Sequence, residues 1–140
     1  MDDLFLKILN GDIPSSKIYE DNVTFVILDI NPHNKGHALV IPKERYENIF
    51  DIPESLLMAM IKTAKTITPA IQRATGAQGF NISMNNGKVA GQEIMHAHIH
   101  IVPRFINDGV YEPAHHITYN EGEQENLAKE IRAEFEKKID

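Results

Sequence analysis

Apolar residues recur along this chain in two rhythms, one of three to four residues and one of two, and the switches between them outline its elements. Leu4, Phe5, Ile8 and Leu9 share one face of a short helix over 3–10, with Asp2 or Asp3 placed to cap it and Gly11 to end it. Extended chain is expected next. The run Val23-Thr24-Phe25-Val26-Ile27-Leu28 is apolar on both faces and rich in β-branched residues, the character of a central strand. The turn formers of 31–36 separate it from His37-Ala38-Leu39-Val40-Ile41, a second strand stopped by Pro42, and so short a connection predicts antiparallel neighbours.

The longest helical rhythm runs over 53–75 through Leu57, Met60, Ile61, Ala64, Ile67, Ile71 and Ala74, with Gly76 at its end and a kink expected at Pro69. Phe80, Ile82 and Met84 then alternate with polar residues, predicting a strand with one buried face. A glycine-containing loop over 86–92 leads to a further strand at about 94–102. Residues 105–122, with Pro113 and His115-His116, read as irregular, and a helix near 123–138 carries Leu127, Ile131 and Phe135 on a narrow stripe, with Glu125/Lys129 and Glu134/Lys138 as supportive pairs. Strands and helices in this order predict an α+β fold on an antiparallel sheet of about five strands, with one long helix and short flanking ones.

At 140 residues the chain forms one domain over 1–140, with a core of about 3–104 and a tail over 105–140. Hydrophobic residues at 42% and charged residues at 24% are those of a globular chain, no run is long enough for a transmembrane helix, and the acidic opening does not suit a signal peptide, so a cytoplasmic protein with no membrane partner is expected. A net charge of −6 has the wrong sign for holding nucleic acid by phosphate neutralisation. Cysteine is absent, which removes disulfides, thiol catalysis and Cys-containing zinc sites. The loop after Asn86 precedes a strand, whereas a dinucleotide fingerprint must open a helix.

Specific chemistry converges on Met95-His96-Ala97-His98-Ile99-His100-Ile101-Val102-Pro103-Arg104. Alternation places His96, His98 and His100 on one face of a strand and Ala97, Ile99 and Ile101 in the core. Three readings follow: structural histidines, a His-ligated metal site, or nucleophilic catalysis at phosphorus. In the third, one imidazole attacks and its neighbours and loop amides hold the phosphate. The glycine loop and Gln92 stand where such donors are wanted, which favours phosphoryl chemistry. His33 and His115-His116 are read as solvated.

The chain resembles the histidine triad (HIT) nucleotide hydrolases and transferases, named for the His-φ-His-φ-His-φ-φ run seen here as 96–102. The similarity extends through Leu4-Phe5-Leu6-Lys7-Ile8, Gly11-Asp12-Ile13-Pro14, Lys17-Ile18-Tyr19-Glu20-Asp21, Leu28-Asp29-Ile30-Asn31-Pro32, 36–43, Asn85-Asn86-Gly87 and Ala90-Gly91-Gln92. The resemblance implies that His98 attacks an α-phosphate and becomes transiently nucleotidylated. It implies that His100 contacts phosphate or leaving group, that His96 and His37 support them, and that Gln92 contacts the phosphate. Asp29 would accept the ribose hydroxyls, Ile30, Phe5 and Ile8 would form the base pocket, and Asn85, Gly91, Glu93 and Ile94 would complete the nucleotide site.

Many microbial members hold a structural zinc through two cysteines of the first helix, a histidine after the Ile-Pro strand and the first triad histidine. Asp3, Leu6 and Arg45 stand at three of those positions here, so no metal and no cofactor are expected. Glu93 replaces the Ser or Thr of many members. The expected protein is therefore a homodimer, its sheet continuing across the dimer, that hydrolyses purine nucleoside phosphoramidates or dinucleoside polyphosphates. The alternatives are a nucleotide-binding regulatory module with weak activity or a His-ligated metallohydrolase. The leaving group and the roles of Glu93 and of 105–122 are left open by the sequence.

Overall fold

The computed structural model describes residues 3–111 and 115–137; Asp2, Pro113 and Lys138, singled out above, lie outside them. The chain divides into two compact units, residues 1–110 and 111–140. The first unit is built on strands β1 (Lys17–Glu20), β2 (Thr24–Leu28), β3 (Ala38–Pro42), β4 (Gly79–Ser83) and β5 (Ile99–Arg104), in the order β1-β2-β3-β5-β4 with every neighbour antiparallel. Helix α1 (Leu4–Leu9) packs on one face and helix α2 (Glu54–Thr75) on the other.

The two-faced apolar character of β2 and β3 is explained by this layering. Phe25, Ile27, Leu39 and Ile41 join Phe5 on the α1 side, whereas Val26, Ala38 and Val40 join Met60, Ala64 and Ile71 on the α2 side. Central strands covered by helices on both faces must be apolar at both parities. Thr24 and Thr63 are the polar exception, and their hydroxyls bond each other at 2.8 Å across the buried β2–α2 contact. α2 runs through Pro69 as one continuous helix and ends on Gly76.

Two expectations shift. The strand expected from about 94 starts at Ile99, because the Ala97 N–H donates to the Tyr46 carbonyl at 2.7 Å and the chain joins the β3 ladder only afterwards. β4 ends at Ser83, and Ile82 is exposed where a buried face was predicted, because β4 is the outermost strand.

Arg104 closes the first unit. Its guanidinium grips Asp108 through Nε at 2.8 Å and Nη2 at 2.7 Å, Asn34 donates to the same carboxylate at 2.9 Å, and Arg104 holds that carboxyl far below the usual range. The loop before β3 is thereby fastened to the end of β5. In the second unit α3 (Glu123–Lys137) carries Leu127, Ile131 and Phe135 exposed; its ion pairs are Arg132–Glu125 and Lys137–Glu134, not the expected Glu125/Lys129 spacing. Among the described residues no helix is long and apolar enough to cross a membrane.

Candidate active site

The site begins with Asp3, whose Oδ1 caps α1 by accepting from the N–H groups of Phe5 at 2.9 Å and Leu6 at 3.2 Å. Capping sets the helix so that Phe5 turns inward. Its ring lies edge-on to His96 at 5.4 Å and to His98 at 5.0 Å between centroids. The alternation read from the sequence survives even though only His100 belongs to β5 proper. Ala97, Ile99 and Ile101 enter the α2-side core, and the three histidines face α1.

Hydrogen-bond partners fix the tautomers. His98 Nδ1 donates to the His96 carbonyl at 2.7 Å, which leaves Nε2 with its lone pair. His37 Nδ1 accepts from the His33 backbone N–H at 3.0 Å, so its Nε2 carries the proton and donates to His100 Nδ1 at 3.0 Å. His100 Nε2 is then the protonated nitrogen of that ring. A free lone pair and an N–H donor thus sit on adjacent rings whose centroids are 4.9 Å apart.

All three rings are neutral near pH 7. Burial pushes His98 below the usual histidine value, against the opposing hydrogen bond to His96, and burial likewise lowers His37 against the pull of Asp29. His100 is pushed down to about 4 by burial and by the neighbouring His98 and His37 rings.

Asp29 follows β2 and holds the Asn31 N–H at 2.9 Å through Oδ1, while Oδ2 lies 3.7 Å from His37 Nε2. Ile30, beside it, is 86% exposed and open to stack against a ligand. Phe5, by contrast, is 1% exposed: it backs the histidines and has almost no surface for a base pocket, while Ile8 packs at the edge of the same cluster. Asn85 Nδ2 reaches the Gly91 carbonyl at 3.4 Å, and a Cβ on Gly91 would stand 3.3 Å from that nitrogen. Glu93 is exposed, and Ile94 is half-buried against the α1-side core.

Gln92 requires a correction. It is 1% exposed, and its Nε2 donates to the carbonyls of Glu47 at 2.6 Å and Ile94 at 3.1 Å. Its Oε1 accepts from Gly87 N at 2.9 Å and Asn48 Nδ2 at 3.3 Å. With both donors and the acceptor taken, this side chain braces the loop and does not reach a phosphate. The N–H groups of Gly87, Ala90, Gly91 and Gln92 are also bonded within the loop, so the anticipated cradle does not come from them.

His33 is exposed in its turn, as expected, and two contacts tie it to the site. Its ring stacks on His37 with centroids 5.2 Å apart and 13° between planes, and its N–H sets the His37 tautomer. Its place four residues before His37 was the available signal.

Metal chemistry can be judged from the donor set. Among the described residues, Asp29, His37 and His100 form a group with ligand atoms within 4.8 Å of one another. The His33 N–H pointing at His37 Nδ1 keeps the proton on Nε2, the atom a metal would need. His96, first of the triad, has both ring nitrogens against acceptors, Asp3 Oδ2 at 2.6 Å and the Pro42 carbonyl at 2.8 Å. A His₃ metal centre on 96, 98 and 100 does not fit these bonds.

A five-stranded antiparallel sheet with three alternating histidines turned to one face is the fold expected of a histidine triad protein. Residues 10–107 match the HIT domain, and the chain belongs to this family. It is 47% identical over 103 residues to the adenylylsulfatase HINT3 of Arabidopsis thaliana, a match covering 74% of this chain and 52% of that one. It is 39% identical over 101 residues to the adenosine 5'-monophosphoramidase HNT1 of Saccharomyces cerevisiae, covering 72% and 61%. The crystal structure of SMU.412c from Streptococcus mutans UA159 superposes with a TM-score of 0.89 at 41% identity, covering 96% of this chain and 85% of that one.

Proposed function

We propose that this protein hydrolyses purine nucleoside phosphoramidates or related mixed anhydrides at the α-phosphate through a nucleotidyl-His98 intermediate. The carrying observation is the pair of neutral rings in which His98 offers a free Nε2 and His100 an N–H. His98 Nε2 forms the bond to phosphorus while the P–N or P–O bond to the leaving group breaks; His100 Nε2–H hydrogen-bonds to the departing atom, which takes its proton from solvent. Water then attacks phosphorus, the P–Nε2 bond to His98 breaks, the water proton passes to solvent, and the nucleoside monophosphate is released. Asp29 accepts from the ribose hydroxyls, Ile30 and Ile8 contact the base, and Asn85, Gly91, Glu93 and Ile94 border the phosphate. No cofactor takes part. The names of the Arabidopsis and yeast relatives support this substrate class.

A homodimer, in the cytoplasm, is part of the same reading. β4 has its outer edge unpaired in the sheet order, and Ile82 on it meets Ile61, Ala64, Thr68 and Pro69 of α2 around a shallow apolar hollow. A second copy pairing β4 with β4 would extend the sheet and cover these residues.

A panel of adenosine phosphoramidate, adenylyl sulfate and dinucleoside polyphosphates, read by AMP release with the oligomer checked by sedimentation, tests the proposal. The phosphoramidate is expected to turn over fastest, from a dimer. Tight AMP binding with no turnover on any of them would make the protein a binding module.

The pH profile has a defined sign. The reactive form is neutral His98, and its proton affinity is depressed, so acid removes activity only below the usual histidine value of 6.5. kcat/KM is expected to stay level through neutrality and to fall on an acid limb centred below that value; a limb centred at or above it would contradict the assigned burial.

A further inference from the structure

The residues standing at the family's zinc positions do not suit a metal: Leu6 offers no ligand atom, Arg45 is a cation, and both ring nitrogens of His96 are already bonded. What occupies this place is a charged cluster. Asp3 Oδ2 lies 2.6 Å from His96 Nδ1 and 3.1 Å from Arg45 Nε. Arg45 also donates to the Met95 carbonyl, through Nε at 3.1 Å and Nη2 at 2.9 Å. His96 meets a carboxylate on one side and the Pro42 carbonyl on the other, so it donates from both nitrogens, as only an imidazolium can. The ring is 0% exposed, and a buried charge of this kind needs the two partners it has.

We infer that Asp3 and Arg45 are positioning residues for the nucleophile, forming with His96 a metal-free ionic clamp that fixes the carbonyl on which His98 is oriented. The geometry runs in one direction. Asp3 ties the start of α1 to the His96 ring, Arg45 holds the preceding carbonyl of Met95, and the Ala97 N–H is fastened to Tyr46 O at 2.7 Å. Three successive residues are thereby fixed from outside the strand ladder, and the one between them supplies the acceptor for His98 Nδ1. If that carbonyl moves, His98 loses its reason to keep the proton on Nδ1, and Nε2 is no longer uniformly the free nitrogen. The inference rests on His98 being the nucleophile only for its kinetic consequence; the tautomer is a property of the free protein.

Asp3→Asn and Asp3→Ser test it, since both residues still cap α1. An asparagine whose oxygen caps the helix turns its NH₂ toward two donors, and serine is too short to reach His96. For either variant, ¹⁵N spectra of the imidazoles are expected to show His98 passing from a single Nδ1–H tautomer to a mixture. kcat for the phosphoramidate should fall on the order of tenfold to a hundredfold with KM changed far less, as misplacement of a reacting group predicts. Dialysis of the wild-type protein against EDTA is expected to leave its melting temperature and rate unchanged.

An Asp3→Ser protein that melts lower yet keeps the His98 tautomer and kcat would reduce Asp3 to a helix cap and overturn the inference. So would an EDTA-induced loss that zinc alone restores. A wild-type protein that turns over no nucleotide would instead defeat the proposed function, and the tautomer measurement would still decide the clamp.

Discussion

His98→Ala is expected to lower hydrolysis of an adenosine phosphoramidate by roughly a thousandfold or more, the scale on which enzymes lose rate when a nucleophile that acts as a unit with its neighbours is removed. The size follows from how completely this one ring is prepared. Its Nδ1 proton is fixed on the His96 carbonyl at 2.7 Å, burial keeps it neutral, and the His100 ring stands beside it. Neither His100 nor His37 can replace it: His37 Nε2 and His100 Nδ1 are bonded to each other at 3.0 Å, and the remaining His100 nitrogen is a donor. Quenched samples of the wild-type protein should carry a nucleotidyl adduct detectable by mass spectrometry, and those of His98→Ala none. Near-native turnover in the variant would remove the covalent route. Nucleotide affinity should change much less, because the proposed ribose and base contacts at Asp29, Ile30 and Ile8 are untouched.

The second large effect is on the fold. Gly36→Ala is expected to cost about 2–4 kcal/mol of stability, the sum of a strained left-handed residue and an overpacked contact. Gly36 has φ +89°, and an added Cβ would lie 2.8 Å from Thr75 Cγ2 and 3.3 Å from Pro103 Cγ. The loop there is held between the last residue of α2 and β5, and Asn34 is bonded to the Pro103 carbonyl at 2.9 Å, so the chain has little room to yield. Denaturant unfolding measures the loss. The variant should also lose rate, since the displaced residue precedes His37, whose N–H···N bond sets the His100 tautomer; a change within about 0.5 kcal/mol, typical of a neutral surface site, would show the loop to be pliable.

Residue types and their spacing were enough for some of this. The three-to-four rhythm over 53–75 became α2 at Glu54–Thr75, and the two-faced apolar runs at 23–28 and 37–41 became β2 and the central strand β3. These features are legible because burial acts on every side chain of an element, and its period is written directly into the order of residues. The alternating histidines belong with them: their common face was visible before any coordinates, although the ladder that holds His100 does not extend back to His96.

Other properties were settled only when distant segments met. Gln92 carried a phosphate contact by resemblance and became a buried brace, because its partners are Glu47 and Asn48, more than forty residues away. Asp3 could be read as a helix cap, but its second bond is to a ring 93 residues along the chain.

The sequence by itself determined the element types, the antiparallel class of the sheet and the face on which the chemistry would stand, since each depends on side-chain polarity at regular intervals. The tertiary structure alone decided which ring nitrogen is free, which ring is charged and which is neutral. Those depend on the partners around each imidazole, several of them backbone N–H and carbonyl groups that every residue type carries and that leave no trace in the sequence.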